Sequence, residues 1–357
     1  MAEKKFAFES EELSVAFNIV SAAIGDAIIA KSAFEAIIKM VPNCSIDVYI
    51  KEGFKNYITA FYGDSENLNL IIDSQESYTD MHKKYDLAVN VWHIMRVDFL
   101  NEDKLKNLYR DLFNAMKKVD AYSKKYPYRD RNSAATILTN VTRSHILGTN
   151  RYTCFSCNGA LPIYDEHVHI PLTFEGERGF QKLNLSKNYI TIGSNLSQKF
   201  LKRHATKEWP LRYFIEYVSL LNQKLPQEQV VQIGGGDVKK VPNVDRYVLD
   251  ADLETVKYVL KNSLLHVDCE SGLVHLATQL GTKCIVLFGP TDEKFVGLNQ
   301  NFNIVSDFCY PCYHAWDGGS QCLLGAKEPP CMTSITPQQV FEVTRNYISH
   351  LELKNNT

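Results

Sequence analysis

A short turn followed by a histidine is the stretch of this sequence best suited to chemistry. Glu270-Ser271-Gly272 lies between a predicted strand, 264–268, and a predicted helix, 273–280, that carries His275 in its first turn. The first N–H groups of a helix lack partners within the helix and carry partial positive charge, which suits a phosphate or a sugar hydroxyl. In a purely structural alternative, Glu270 and Ser271 only cap the helix and His275 packs against the sheet.

A basic segment after another predicted strand, 189–194, adds groups of the same kind. It begins with the polar residues Ser194 and Asn195 and ends with Lys207, just before the predicted start of a helix at Trp209-Pro210. Basic side chains beside such a turn are good anchors for a diphosphate. The alternative, a solvated basic surface, fits Lys202 and Arg203 better than it fits Lys207.

A run of glycines ends the predicted strand 229–236. Gly234 and Gly235 have no side chain, so a nucleotide could lie directly against the backbone there. The G-x-G-x-x-G spacing of a dinucleotide fingerprint is absent. The run therefore favours a nucleotide site without indicating a hydride-transfer cofactor.

Four cysteines near the C-terminus have the spacing of a small metal site. Cys309, Cys312, Cys322 and Cys331 fall within 23 residues among prolines, glycines and a tryptophan. Such a cysteine-rich finger, 309–331, could close around a tetrahedral structural metal, iron or zinc. The alternative is four unlinked thiols in a loop. Cys154 and Cys157 form a weaker pair, either buried thiols or further ligands, and the remaining cysteines are expected in the core: Cys44, Cys269 and Cys284.

Two series of alternating strands and helices must position these groups. Hydrophobic periodicity predicts parallel sheets in an α/β fold with two Rossmann-like domains facing each other across a cleft, 1–180 and 181–357. A polar connector is predicted at 174–188, and no structure is assigned over 126–165. The predicted strands are 14–22, 44–50, 68–73, 87–92, 189–194, 229–236, 247–252, 264–268 and 284–288. The predicted helices are 27–41, 102–125, 209–225, 253–263 and 273–280.

Composition narrows the class of protein. At 357 residues with 45% hydrophobic side chains, the chain has the length and apolar content for two domains. A formal net charge of −2 gives no electrostatic case for nucleic acid as a partner. No stretch has the length of a membrane span, and no secretory signal is recognised. With nine cysteines, an odd number, we expect reduced thiols in the cytoplasm.

Three of these stretches carry a family resemblance. "ESGLVHLATQLGTKCIVLFGPT" resembles the C-terminal signature of glycosyltransferase family 9, the heptosyltransferases, in which the turn usually reads Asp-Thr-Gly. The segment before Trp209-Pro210 resembles the family's diphosphate segment, and "SAAIGDAIIAKSAFEAIIKMVPNCSIDVYI" resembles its first Gly-Asp turn and helix. The resemblance covers about 190–295 and 14–50. It is absent over about 95–165, where acceptor contacts would be expected.

The resemblance implies a GT-B enzyme with a nucleotide-sugar donor, ADP-heptose or GDP-heptose. By position Asp26 matches the catalytic base, and a carboxylate there could accept the proton of the attacking hydroxyl. Lys207 matches the phosphate-binding lysine, so transfer, with inversion, would need no metal. The acceptor would be a protein serine or a lipopolysaccharide core sugar.

The cysteine-rich finger resembles that of the autotransporter-modifying heptosyltransferases, which holds iron, and this favours a protein acceptor. A homo-oligomer is left open. Asp250 and Asp252 have the D-x-D spacing of a metal motif, but Asp252 is better explained as a helix N-cap. Two other classes of function remain: a non-catalytic nucleotide-sugar-binding scaffold and an oxidoreductase with a cysteine-bound metal.

Overall fold

The chain forms two α/β units, each built on one sheet. The computed structural model describes residues 12–21, 23–126, 134–194, 205–314 and 321–355. The strands are β1 Leu13–Ile19, β2 Cys44–Tyr49, β3 Leu68–Ile72, β4 Leu87–Val91, β5 Met95–Leu100, β6 Tyr189–Gly193, β7 Gln229–Gly234, β8 Arg246–Leu249, β9 Leu265–Cys269, β10 Cys284–Phe288 and β11 Phe302–Val305.

The α-helices of the described residues are α1 Ile24–Met40, α2 Lys55–Tyr62, α3 Gln75–Met81, α4 Glu102–Leu108, α5 Arg110–Ser123, α6 Ala134–Leu147, α7 Phe174–Lys182, α8 Leu211–Lys224, α9 Leu253–Lys261, α10 Gly272–Gln279, α11 Glu293–Val296, α12 Pro330–Thr333 and α13 Pro337–Asn355. Short 3₁₀ turns lie at His82–Lys84, Thr153–Ser156 and Ala205–Lys207. No helix among the described residues is long and apolar enough to cross a membrane.

The first sheet has the order β3-β2-β1-β4-β5. Its first four strands run parallel, and β5 pairs antiparallel with β4 at the edge. Strand β1 is apolar at alternate positions on the side that α1 covers, where Val15 and Phe17 are fully buried. The antiparallel edge strand is an element that the sequence did not predict.

The second sheet has the order β11-β10-β9-β6-β7-β8 and is parallel throughout. Every residue of β9 and of β10 is buried, as expected for strands covered on both faces. The α/β class with alternating strands and helices is therefore confirmed. The proposed domain boundary at 180/181 stays a prediction.

Strand order changes direction at one point in each sheet: between β1 and β4 in the first, and between β6 and β9 in the second. In open parallel sheets, ligands bind outside the carboxyl ends of the strands at such switch points. Residues that follow β1, β4, β6 and β9 are thus the ones that the fold places for binding.

Several predicted elements were wrong in type or extent. The predicted connector 174–188 is helical over its first nine residues, because α7 begins at the Thr173 cap and packs against α9. The predicted helix 102–125 is broken at Tyr109 into α4 and α5. Asp252 is an N-cap as predicted, since its carboxylate accepts a hydrogen bond of 2.8 Å from the Thr255 N–H.

Helix α1 begins at Ile24, three residues before its predicted start, so Asp26 lies in its first turn rather than in a turn before the helix. This helix packs against α10 of the other unit. Two glycines permit that approach: a Cβ added to Gly272 would lie 3.0 Å from the Gly25 backbone nitrogen and 2.9 Å from the Ile24 Cβ. The N-termini of two helices from different units therefore meet.

Two buried lysines also join the units. Lys257 of α9 donates to the carbonyl oxygens of Ala60, at 2.9 Å, and Pro171, at 2.6 Å. Lys31 of α1 donates to the carbonyl oxygens of Phe61, at 2.5 Å, and His169, at 2.6 Å. Both ammonium groups thus hold the segment that leads from the first unit to the second.

Candidate active site

A cavity of about 720 Å³ lies where the switch points of the two sheets face each other. Most of the predicted site residues line it, and they come from both units: Asp26, Lys207, Gly234, Gly235, Glu270, Ser271, Gly272 and His275. Ser194 is not among the lining residues, and Asn195 lies outside the described residues. The structure thus brings together residues that are far apart in sequence, while their roles remain predictions.

Asp26 is held by contacts from two directions. Its Oδ2 accepts a hydrogen bond of 2.5 Å from the Ser21 hydroxyl, which follows the end of β1. Its Oδ1 lies 3.2 Å from Nη2 of Arg151, a residue 125 positions later in the chain. About a quarter of the Asp26 side chain remains exposed toward the cavity. Asp26 is thus a fixed carboxylate that a ligand hydroxyl can reach.

The N-terminus of α10, which meets that of α1, forms the neighbouring part of the cavity wall. Ser271 caps this helix by accepting from the Val274 N–H at 3.4 Å, and its hydroxyl donates to Asp268 Oδ2 at 2.6 Å. Asp268 belongs to β9, so the strand fixes the cap. The turn thus has features of both alternatives, the helix cap and the ligand-binding turn: Ser271 caps the helix, and the turn faces the cavity.

A buried ion pair between Lys207 and Glu270 lies beside this helix. The two side chains are 15% and 12% exposed, and the Lys207 Nζ contacts the Glu270 carboxylate. Burial alone would lower the pKa of Lys207, but the Glu270 carboxylate raises that pKa above its ordinary value. Burial alone would likewise raise the pKa of Glu270, yet Lys207 and then His275 hold that pKa well below its usual range. Both groups are therefore charged at neutral pH.

Trp209 explains why Lys207 lies there. Its side chain is fully buried, its indole N–H donates to the Ile335 carbonyl at 2.8 Å, and its backbone N–H donates to Cys269 Sγ at 3.4 Å. Cys269 is the last residue of β9 and directly precedes Glu270. The Trp209-Pro210 anchor thus fixes the chain that carries Lys207 against the strand that carries Glu270.

The glycines at the end of β7 contribute backbone to the cavity. Gly234 has a φ of 157° and Gly235 follows it, and both line the cavity. Ser194, expected beside them, is instead buried: its hydroxyl accepts from Gln232 Nε2 at 2.5 Å and donates to the Lys239 carbonyl at 3.3 Å. Ser194 therefore supports the loop after β7 rather than facing the cavity.

On the side of the first unit, the cavity wall is aromatic and basic. Phe54, Tyr57 and Trp92 lie there with His93 and Arg151. Sequence reasoning did not single out any of these five residues. Trp92 and His93 follow β4 at the switch point, so the rule about strand ends could have found them. Arg151 comes from the unassigned region 126–165, and nothing in its sequence context indicates its role.

The segment after Cys312 also reaches the cavity. Tyr313 places its ring centroid 4.2 Å from the Lys207 Nζ, and its N–H donates to the Pro290 carbonyl at 2.9 Å. The His314 ring centroid lies 5.9 Å from that of His93. Burial, and then the charge of Lys207, lower the pKa of His314 to about 4. Two residues of the cysteine-rich finger thus form part of the candidate active site.

The described part of the finger does not have the geometry of a metal site. Among the described residues, no three His, Cys, Asp or Glu side chains are arranged to hold an ion. The four cysteines nevertheless share a neighbourhood: burial, and then the charges of Cys309, Cys312 and Cys322, raise the pKa of Cys331 to about 12. The thiols fit a metal by chemical type but not by arrangement. The structural metal therefore stays a prediction, and no step of the reaction involves it here.

The other cysteines follow expectation. Cys44, Cys269 and Cys284 are buried, and Cys154 and Cys157 are buried as well. Burial raises the pKa of Cys154 and that of Cys284, which favours neutral thiols.

The arrangement suits a displacement at a phosphate-bearing carbon. The first unit supplies a carboxylate that can accept a proton, and the second unit supplies a cation beside a helix N-terminus. The two groups are close, because a Cβ added to Gly25, the residue before Asp26, would lie 3.0 Å from the His275 ring of α10. A hydroxyl could lose its proton at Asp26 while a diphosphate leaves toward Lys207 and α10.

Comparisons with known proteins agree with this geometry. Residues 177–320 match the family model described as "Glycosyltransferase family 9 (heptosyltransferase)". No curated protein sequence matches the chain.

The fold is similar to solved structures across the whole chain. A glycosyltransferase of family 9 from Veillonella parvula has a TM-score of 0.61 and 15% identity, covering 96% of this chain and 99% of that one. E. coli ADP-heptose lps heptosyltransferase II has a TM-score of 0.58 and 14% identity with the same coverage.

The iron-containing dodecameric heptosyltransferase TibC of enterotoxigenic E. coli, solved with ADP-D-β-D-heptose, has a TM-score of 0.55 and 13% identity, covering 96% of this chain and 77% of that one. These likenesses confirm the predicted GT-B architecture. Residues 177–320 are thus similar in sequence to glycosyltransferase family 9, and the chain is similar in fold to these enzymes.

Proposed function

We propose that this protein is an inverting glycosyltransferase that moves a sugar, a heptose, from a nucleoside diphosphate to an acceptor hydroxyl. One observation carries the proposal: Asp26 and the pair of Lys207 with the α10 N-terminus line the same cavity from opposite units. The similarity of residues 177–320 to glycosyltransferase family 9 supports the reaction class. Heptose as the sugar is supported by TibC, which was solved with ADP-D-β-D-heptose.

Each group has one role in this mechanism. Asp26 accepts the proton of the acceptor hydroxyl as its oxygen attacks the anomeric carbon and the bond to the diphosphate breaks. Lys207 and the free N–H groups of α10 stabilise the charge that develops on the leaving diphosphate. Gly234 and Gly235 leave room for the nucleoside against the backbone. Since Lys207 supplies positive charge, the proposal needs no metal for transfer.

Two acceptor classes fit the aromatic wall of Phe54, Tyr57 and Trp92: a protein serine and a lipopolysaccharide core sugar. The cysteine-rich finger favours the protein. Nine free thiols fit a reducing cytoplasm as the place of action. Because TibC is dodecameric, a homo-oligomer is part of the proposal, and the mass in solution tests it.

The experiment offers the purified protein ADP-heptose and GDP-heptose separately, each with a lipopolysaccharide core acceptor or with a serine-rich protein. Release of nucleoside diphosphate and mass gain of the acceptor are measured. We expect turnover with one donor and one acceptor class. Donor binding without turnover in all four combinations would instead support a non-catalytic nucleotide-sugar-binding scaffold. Reduction or oxidation of NAD(P)H would support an oxidoreductase.

A further inference from the structure

Two consecutive residues of the first unit contact groups that the two different units contribute to the candidate active site. Arg151 contacts Asp26 of α1, and Tyr152 contacts His275 of α10. Neither residue was identified from the sequence. They lie in a short segment between α6 and the 3₁₀ turn Thr153–Ser156, in the region where the family resemblance is absent.

The segment that holds these residues is fixed on both sides. The Asn150 Oδ1 accepts from the backbone N–H groups of Tyr152, at 3.0 Å, and Thr153, at 3.1 Å. The Arg151 backbone N–H donates to the Phe295 carbonyl of α11 at 2.7 Å. Because Phe295 belongs to the second unit, the segment is tied to the unit that would hold the donor.

Burial and pairing hold the Arg151 guanidinium against Asp26. Its side chain is only 3% exposed, and its guanidinium lies 5.2 Å from the centroid of the Phe155 ring. Its Nη1 is buried and has no hydrogen-bond partner among the described residues. A buried cation is costly unless it is paired, so the contact of Nη2 with Asp26 holds both groups in place.

Tyr152 has the corresponding relation to His275. Its hydroxyl is buried and lies 3.1 Å from His275 Nδ1. Burial raises the pKa of Tyr152, so the hydroxyl stays protonated and can donate. A proton donated to Nδ1 leaves the ring proton on Nε2, and Nε2 faces Glu270 Oε1 at 3.8 Å. Tyr152 thus sets the orientation of the histidine beside the diphosphate-binding turn.

We propose that Arg151 and Tyr152 are positioning residues that set the placement of the proton-accepting carboxylate relative to the donor-binding helix. The inference rests on the proposed function, since it gives Asp26 and His275 their roles. Neither residue is required to touch substrate. Because the two are adjacent in the chain, a shift of this segment would move both sides of the site together.

The test uses single variants and their combinations in the full chain. Arg151→Met, Arg151→Lys and Tyr152→Phe are measured for kcat with the active donor and acceptor and for the dissociation constant of ADP. Matched controls are Arg143→Met and Tyr217→Phe. Like Arg151, Arg143 lies over an aromatic ring, with its guanidinium 4.2 Å from the Tyr126 centroid. Like Tyr152, Tyr217 is buried, and its hydroxyl lies 2.8 Å from Thr344 Oγ1. Neither control residue lines the cavity.

For Arg151→Met we expect kcat to fall about 10- to 100-fold, as when a catalytic group is displaced, with ADP affinity unchanged. Arg151→Lys should recover part of the lost rate. For Tyr152→Phe we expect ADP affinity to fall about fivefold, the loss of one hydrogen bond. Both controls should match the wild type.

Double variants, in which each change is combined with a change of its partner residue, show whether the effect depends on the contact between the two side chains. Arg151→Met added to Asp26→Asn should cause no further loss of kcat, and Tyr152→Phe added to His275→Gln no further loss of ADP affinity. Additive losses, or single variants equal to wild type, would overturn the inference. Wild-type protein that binds ADP but transfers nothing contradicts the proposed function and with it the role of Arg151, while ADP affinity still decides that of Tyr152.

Discussion

Lys207 and Glu270 form an ion pair that is buried beside the helix N-terminus at which a diphosphate would bind. The pair has a structural counterpart far from the cavity: Lys104 and Asp86 lie 2.8 Å apart with nearly the same exposure, 16% and 12%. Variants of this second pair report the effect of a lost ion pair on stability alone, so they are controls for the role of Lys207 in ligand binding.

Removing one partner of the Lys207–Glu270 pair should destabilise the fold and change ligand affinity in a direction set by charge. Glu270→Gln leaves a buried cation without its partner, which costs on the order of 3 kcal/mol of unfolding free energy. It also frees Lys207, so ADP should bind more tightly, whereas Lys207→Met should weaken ADP binding at least tenfold. Urea unfolding and calorimetric titration with ADP measure the two effects.

The control for this prediction is Asp86→Asn, together with Lys104→Met. Each should lower the unfolding free energy and leave ADP affinity as in the wild type, because that pair does not line the cavity. If Lys207→Met bound ADP as well as Lys104→Met does, Lys207 would not be a phosphate ligand.

The stability contributed by Glu270 should depend on pH with a definite sign. Its folded-state pKa lies below the ordinary 4.5, so the contribution is fully present above about pH 4.5 and is lost as pH falls through the folded-state value. Lys207, with a pKa raised above 10.5, loses its contribution only as pH rises through that higher value. Between about pH 5 and 10 we therefore expect no dependence on pH from this pair.

Unfolding free energies of wild type and Glu270→Gln, measured from pH 7 to pH 3, test that sign. The gap between the two proteins should be widest near pH 7 and should shrink toward pH 3. A gap that widens on acidification would mean that Glu270 is neutral in the folded protein.

Contact between the two helix N-termini predicts that Gly272 does not tolerate a side chain. In Gly272→Ala the new Cβ would lie 2.9 Å from the Ile24 Cβ and 3.0 Å from the Gly25 nitrogen, and the latter is backbone that cannot rotate away. We expect a loss of about 1–3 kcal/mol in unfolding free energy, as for overpacked cores, and a loss of transfer activity. Thermal unfolding and the transfer assay measure this. Wild-type stability and activity in Gly272→Ala would show that α1 and α10 do not pack this closely.

The chemical type and spacing of the four finger cysteines predict a structural metal, and binding it would have to bring the thiols together, since the described residues show no such cluster. Elemental analysis of the purified protein should give about one iron or zinc per chain, as expected for a closed four-thiolate site. Cys312→Ser and Cys322→Ser should lose the metal and lower the melting temperature. Cys44→Ala, at a buried cysteine of β2 outside the finger, should keep the metal. Protein without metal, and with wild-type stability in Cys312→Ser, would contradict the prediction.

The site residues that could be predicted from the sequence lie at or just after the ends of strands. Asp26 and Glu270 follow strands with a plain apolar pattern, and Gly234 ends one. The rule that parallel strands present their carboxyl ends to a ligand places the three residues together. Ser194 also follows a strand, but its side chain points away from the cavity because its hydroxyl accepts a hydrogen bond from Gln232. Pattern fixes where a residue lies along a strand, whereas local hydrogen bonds decide which way its side chain faces.

Arg151, Tyr152 and Tyr313 could not be found in this way. Arg151 and Tyr152 meet partners more than 120 positions away in the chain, across the contact between the two units. Their own neighbourhood lacks both periodicity and a family signature, so only the packing of α1 against α10 reveals them. Helix α7 was mistaken for a connector for a related reason: its charged surface suggested a loop, while its packing against α9 makes it a helix.

The most direct test of the account is transfer by wild type and Asp26→Asn, measured beside their affinity for ADP. Asp103→Asn is the matched control, since Asp103 is also an acidic residue in the first turn of a helix but lies outside the cavity. We predict that Asp26→Asn loses at least about 100-fold in kcat, the lower range for a missing general base, and keeps wild-type affinity for ADP. Asp26→Asn that transfers at the rate of Asp103→Asn would contradict the account, because no proton would then pass to Asp26.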